Sequence, residues 1–150
     1  MFQFMFMDAW PAITWSVVSH KRVPKKGYFT LQQAYQPILA GGDFRGDHWS
    51  VKQQFGGGDD FVAFSPWVIN DYQRSFENCQ LTVSLRGKDN GYERILGEQL
   101  FTLPNDSLIT LDTVRFKYFG EVDPGNYEII FKVEHEGSQV SLNQYEIVID

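Results

Sequence analysis

A single cysteine, Cys79, stands in the 150 residues, which excludes an internal disulfide framework and a cysteine-based zinc centre. No apolar run approaches the ~20 residues a membrane-spanning helix needs, so a soluble chain without a membrane partner is expected. Basic residues are scarce: 13 Lys and Arg stand against 19 Asp and Glu, for a net charge of −6. Nucleic-acid binders carry a basic stripe that neutralises phosphates, so no nucleic-acid partner is expected either. The apolar opening at 1–7 has no basic start and no small-residue cleavage site, and Asp8 and Trp10-Pro11 follow at once; a signal peptide does not fit. What the sequence has in abundance is aromatic rings. Thirteen Phe, seven Tyr and four Trp make up 16% of the chain, which suits either a β-rich core or a sugar-stacking surface.

The chain falls into two parts by pattern. Residues 1–7 form a short apolar run ending in turn chemistry, as a strand covered on both faces does, and 13–18 is β-branched and aromatic, hence extended. A basic loop with Pro24 and Gly27 follows. Thr30 precedes Gln33 at capping-box spacing, and Leu31, Ala34 and Tyr35 recur at helical intervals, which predicts a helix over 30–36 that Pro37 stops. After Pro37 the helical period gives way to turn signals every ten to twenty residues, at Gly41-Gly42, Gly56-Gly57-Gly58, Asn70-Asp71, Lys88-Asp89-Asn90-Gly91, Pro104-Asn105-Asp106 and Asp123-Pro124-Gly125-Asn126. Between them lie alternating runs: 80–85, a run from Ile109 to Tyr118, 127–134 and 140–148. Short strands at this spacing predict an all-β, immunoglobulin-like antiparallel β-sandwich over 37–150, with the 123–126 turn leading into a late hairpin. The Cys…Trp…Cys core of antibody domains is missing.

Two separated motifs carry a family resemblance. Asp8-Ala9-Trp10-Pro11-Ala12-Ile13-Thr14-Trp15-Ser16-Val17, followed by Arg22-Val23-Pro24-Lys25-Lys26-Gly27-Tyr28 and Ala34-Tyr35-Gln36-Pro37-Ile38-Leu39, resembles glycoside hydrolase family 2, in its β-mannosidase-like and β-galactosidase-like branches. Pro66-Trp67-Val68-Ile69-Asn70-Asp71 resembles the Val-Asn-Asp strand end found early in the sandwich that follows the barrel in that family. The resemblance spans residues 1 to about 85. It implies that 1–36 is the end of a catalytic (β/α)₈ barrel, its eighth strand and closing helix, and that 37–150 is the accessory sandwich after it.

The resemblance also says what is missing. Retaining enzymes of this family work with two glutamates about 5 Å apart, an acid/base and a nucleophile, carried on barrel strands four and seven. All eight glutamates here, Glu77 to Glu146, fall in the sandwich region, so no catalytic residue is expected in this chain, which reads as the C-terminal part of a longer, bacterial enzyme. Its expected partners are the rest of the barrel and, in the whole enzyme, a carbohydrate. Barrel clefts form at the C-terminal strand ends, so the resemblance makes Trp10, by ring stacking, and Asp8 the candidates for substrate contact. The alternative is that Trp10 and Trp15 pack a barrel rim while Asp8 caps a turn.

In the sandwich, Asp43, Asp47, His48 and Trp49 precede a glycine-rich loop with Asp59 and Asp60. Trp49 and His48 are candidates for a sugar platform and the oxygens for calcium, against a plain solvated loop; the spacing matches no EF-hand. No cofactor and no metal is expected. Gly56-Gly57-Gly58 lacks the lysine of a phosphate loop, and Cys79 reads as a buried, inert thiol. Exposure of the apolar segment 1–18 also points to a homodimer formed through it. A free-standing carbohydrate- or protein-binding sandwich is the other functional class the sequence allows.

Overall fold

The computed structural model describes residues 5–11, 14–44, 46–49, 61–117 and 120–150. Contacts divide the chain into two compact units, Met1–Gln36 and Pro37–Asp150.

The first unit carries little regular structure. Met7 pairs in parallel with Val18, and Val18 pairs antiparallel with Pro24. Asp8 N–H donates to Val18 O (3.0 Å), Val18 N–H to Phe6 O (3.0 Å) and Lys25 N–H to Val17 O (2.8 Å). The expected strands at 1–7 and 13–18 are therefore single bridges among the described residues, and Met5, Phe6 and Met7 are exposed rather than covered. Ile13 and residues 1–4 lie outside the described part. Helix α1 runs over Lys26–Ala34, one turn earlier than the 30–36 expected from Thr30 and Gln33. Lys25 is extended at its start and no side chain caps it, so the proline-fixed entry rather than a capping box sets the first turn. Tyr35 N–H still donates to Leu31 O (2.9 Å), and the helix ends at Ala34, two residues short of the expected Gln36 and ahead of Pro37.

The second unit is an all-β, immunoglobulin-like sandwich. Its strands are β1 (Ile38–Gly42), β2 (His48–Trp49), β3 (Phe61–Phe64), β4 (Pro66–Asn70), β5 (Phe76–Gly87), β6 (Glu93–Leu103), β7 (Ser107–Thr110), β8 (Val114–Lys117), β9 (Gly125–His135) and β10 (Ser138–Ile149). One sheet is ordered β1-β4-β7; the larger is ordered β2-β10-β9-β5-β6. All pairs are antiparallel except β2 with β10. The pair β3-β8 continues β4-β7 past a bulge: Trp67 opposes Thr110 and Phe64 opposes Val114, so two residues on one side face three on the other. Pro66, which has no N–H to give the ladder, sits at this break and accepts from Leu111 N–H (2.8 Å). The single run expected from Ile109 to Tyr118 is thus two strands separated by that bulge; Tyr118 lies outside the described residues.

Alternation along β5 and β9 puts Leu81, Val83, Leu85, Tyr127, Ile129, Phe131 and Val133 inside. Phe44 joins this core as an aromatic hub, in edge contact with Trp49, Phe64 and Tyr145 and parallel to Phe131 at 6.5 Å. The sandwich spends its rings on the core; Tyr72 is the exposed aromatic among its described residues. Cys79 is buried as expected, its thiol directed at Phe76 O (3.6 Å) and pushed up in pKa by burial.

Candidate functional site

Asp8 follows a bridged residue, Met7, and its carboxylate is 3% exposed. A buried carboxylate must be paired or hydrogen-bonded, and this one is both. Thr14 Oγ1 and Ser16 Oγ (2.6 Å) donate to Oδ1, while Lys25 Nζ lies 2.8 Å from Oδ2. Lys25 also donates to Ser16 Oγ (2.8 Å), which lies 3.0 Å from Val18 O. The Lys25 ammonium first, then the Ser16 and Thr14 hydroxyls, hold the Asp8 carboxyl at about 2, below its ordinary 3.8. Together they close the loop over 9–15 at its base.

That loop presents tryptophans outward. Trp10 is 66% exposed and Trp15 85%. Of the two substrate-contact candidates, Trp10 therefore has an open ring, whereas both oxygens of Asp8 are engaged within the chain. Asp8 is a clasp that fixes the loop. The sequence marked Asp8 but not its partners; two hydroxyls spaced i, i+2 and a lysine in the basic loop were the available signal.

A lowered pKa gives a signed pH dependence. The charged form is stabilised in the folded state, so the contribution is present above about 4 and lost as pH falls from 3.8 through about 2. In an acid titration of tryptophan fluorescence, the wild-type chain should show a change in that window that Asp8→Asn lacks. Superimposable profiles would refute the clasp.

The sandwich candidates do not assemble into a site. Trp49 is 4% exposed, with Phe44 edge-on at 6.3 Å and Phe116 at 6.5 Å, so its ring is core and the expected sugar platform is corrected: no stacking face is open. Trp49 turns inward because strand alternation sends His48 and Trp49 to opposite faces. His48 is exposed, its Nε2 2.7 Å from Asp150 Oδ2. Asp47 uses its backbone oxygen to accept from Val148 N–H (2.7 Å). Asp59 and Asp60 lie outside the described residues, as does Gly56-Gly57-Gly58. No group of three or more His, Cys, Asp or Glu side chains suited to a metal occurs among the described residues. Asn70, in the second motif, is buried and bonds backbone alone: Nδ2 donates to Arg74 O (2.9 Å) and Pro104 O (2.7 Å), and Oδ1 accepts from Tyr72 N–H (2.9 Å).

A cleft of about 660 Å³ opens beside the β5-β6 turn, lined by Asn90, Tyr92, Glu121, Asp123, Tyr127 and Asp150 among others. Its polar groups are largely spent on each other and on neighbours: Glu121 on Arg94 (2.7 Å), Asp150 on His48, and Tyr127 Oη on Asp123 O (2.6 Å).

No protein-family profile and no curated protein matches the chain. Solved structures do. A β-D-mannosidase from Dictyoglomus thermophilum is similar over 97% of this chain, at 16% identity and a TM-score of 0.66; this chain spans 16% of that enzyme's length. The CARDB domain of a Pyrococcus furiosus protein, described in complex with di-metal ions, is similar over 75% of this chain and 85% of the domain, at 13% identity and a TM-score of 0.52. An alkylpurine DNA glycosylase from Pseudomonas fluorescens bound to DNA is similar over 82% of this chain and 33% of its own, at 9% identity and a TM-score of 0.52. At these identities the likeness is one of fold.

Proposed function

We propose that the chain is the C-terminal part of a family 2 glycoside hydrolase: Met1–Gln36 closes the catalytic barrel, and Pro37–Asp150 is the accessory sandwich that supports it. The observation carrying this reading is the extent of likeness. Pro37–Asp150 is 114 of the 150 residues, about what the CARDB likeness covers, whereas likeness to the β-D-mannosidase extends over 97% and so takes in the first unit. A free sandwich has no use for a clasped loop and a lone helix. The whole enzyme would cleave β-glycosides such as β-mannosides or β-galactosides with retention, using two glutamates that this chain does not carry. Within it, Asp8 and Lys25 hold the loop and Trp10 offers its ring to a pyranose. The sandwich contributes no catalytic group.

Two preparations test the reading. The 150-residue chain should hydrolyse no nitrophenyl β-glycoside above a mock preparation. A product extended through the coding sequence upstream of Met1 should hydrolyse the β-mannoside or β-galactoside, and Trp10→Ala in it should raise KM about tenfold or more. Turnover by the short chain, or an upstream sequence without two strand-end glutamates, would overturn the assignment. The second reading, a free-standing carbohydrate- or protein-binding sandwich, draws on the 85% of the CARDB domain that the likeness covers. Specific binding of the chain on a glycan array would favour it.

A further inference from the structure

We propose that Asn90-Gly91, in the turn between β5 and β6, is a modification site: a deamidation centre that Tyr127 holds closed and that local opening of the turn releases. It is the only Asn-Gly step in the chain. Asparagine is one of the thermolabile side chains that heat-adapted proteins avoid. Glycine after it has no Cβ to shield the backbone nitrogen, and Gly91 takes a positive φ of 68° with open space where a Cβ would stand. Asn90 is exposed, and both residues line the cleft of about 660 Å³, so water reaches them.

The chemistry needs water alone. The Gly91 nitrogen gives up its proton to solvent and attacks Asn90 Cγ. The new N–Cγ bond forms as the Cγ–Nδ2 bond breaks, and Nδ2 takes a proton back and leaves as ammonia. The cyclic imide then adds one water at either carbonyl and opens to aspartate or isoaspartate.

The closed state is built from both polar atoms of the carboxamide. Oδ1 accepts from Tyr92 N–H (3.1 Å), and Nδ2 donates to Tyr127 Oη (3.0 Å). The group also lies against Gly87, where an added Cβ would stand 1.8 Å from Oδ1. Tyr127 is fully buried; its hydroxyl donates to Asp123 O (2.6 Å) and its ring meets Tyr92 edge-on at 5.8 Å. Gly87 N–H to Tyr92 O (2.8 Å) and Lys88 N–H to Asn126 O (2.9 Å) tie the base of the turn. To react, Nδ2 must leave Tyr127 and the carbonyl face must swing toward Gly91, which breaks both side-chain bonds. A core residue thus anchors an exposed turn, and the rate follows opening of that turn rather than unfolding of the sandwich. The change runs one way. A carboxylate at position 90 has no proton for Tyr127 Oη, and isoaspartate lengthens the backbone inside the turn.

Ageing the 150-residue chain at mildly alkaline pH, native and in urea, with peptide mapping by mass spectrometry, tests the proposal. The expected product is a gain of one mass unit with an isoaspartate fraction, appearing first at Asn90 and about tenfold or more slower in the native chain than in urea. Asn105, exposed but followed by aspartate, is the internal control and should lag in both. Tyr127→Phe keeps the ring and removes the anchor; it should raise the native rate about fivefold, as one lost hydrogen bond gives. Val133→Ala, fully buried at the other end of β9, should leave that rate unchanged while the chain stays folded. Equal rates in native and unfolded chain overturn the proposal, as does Tyr127→Phe ageing like wild type, or no product in urea. Equal acceleration by both variants also overturns it, since the guard would then be global stability. Mass and isoaspartate are read directly, so no outcome bears on the glycosidase assignment.

Discussion

Phe131→Ala is expected to destabilise the sandwich by about 3–5 kcal/mol, the range for deleting a buried aromatic ring and leaving its cavity. Phe131 is fully buried on β9, the strand flanked by β5 and β10. Its ring lies parallel to Phe44, edge-on to Phe64 at 5.9 Å and edge-on to Tyr145 at 6.0 Å. A Cβ added at Gly42 would stand 2.6 Å from Phe64 and 3.0 Å from Phe131, so β1 passes close over the rings. Strands on both flanks of β9 hold the backbone in place, so the space cannot collapse, and the cost belongs toward the upper end. Against a total stability of ~5–15 kcal/mol, that is a third or more. Urea unfolding should show the midpoint falling with the slope unchanged; a loss under 1 kcal/mol would mean that the hub relaxes around the gap.

Asn70→Ala should cost about 3 kcal/mol, more than its single side chain suggests. Asn70 is 1% exposed and pins three backbone groups: the carbonyls of Arg74 and Pro104 and the amide of Tyr72. Truncation leaves all three short of a partner at once, each at about 1–3 kcal/mol where water cannot reach. Asn70→Asp is the informative companion, because it keeps the acceptor for Tyr72 and places an oxygen against two carbonyls. It should be at least as damaging. Equal stability of both variants and the wild type would mean that water replaces the side chain, and the Asn70-Asp71 motif would lose its structural explanation.

The sandwich was legible where strand and side-chain period agree. Gln80, Thr82 and Ser84 alternate with Leu81, Val83 and Leu85, and these became β5, with the leucines and valine inside. β6 went unread because a bulge breaks its period: Val83 faces Gly97 but Ser84 faces Ile95, which leaves Leu96 extra, so Ile95-Leu96 and Leu100-Phe101 stand as adjacent pairs. The Asp123-Pro124-Gly125-Asn126 turn does lead into β9, but the hairpin's own turn, Glu136-Gly137, gave no signal; both residues have positive φ (51° and 75°). That geometry usually selects Asn-Gly, and glutamate at the first position gives no such signal.

The first unit was harder to read, since its order comes from side chains rather than from repeating backbone pairs. Lys25 sits in a loop that composition marks as solvated, and nothing in spacing says that its ammonium reaches back to Asp8. Trp49 misled in the opposite way. A tryptophan beside histidine and aspartates suggests a platform, but in a two-residue strand adjacent side chains part company, and the larger one went to the core.

The parallel pairing of β2 with β10 sets the order in which the sandwich can be completed. His48 lies against Val148 and Trp49 against Ile149, and Asp150 N–H donates to Trp49 O (3.2 Å). Trp49, a core residue, therefore pairs with a strand that lies about a hundred residues further along the chain. β1 pairs with β4 well before that, but its bond across to the other sheet, from Asn143 Nδ2 to Ala40 O (2.7 Å), also comes late. The antiparallel hairpins β5-β6 and β9-β10 can close early and locally, while the seam between the beginning and end of the sandwich is a closure of long contact order, slow and last. During synthesis, Phe44 and Trp49 are thus apolar groups kept waiting, and a folding helper that shields them would act before β10 emerges.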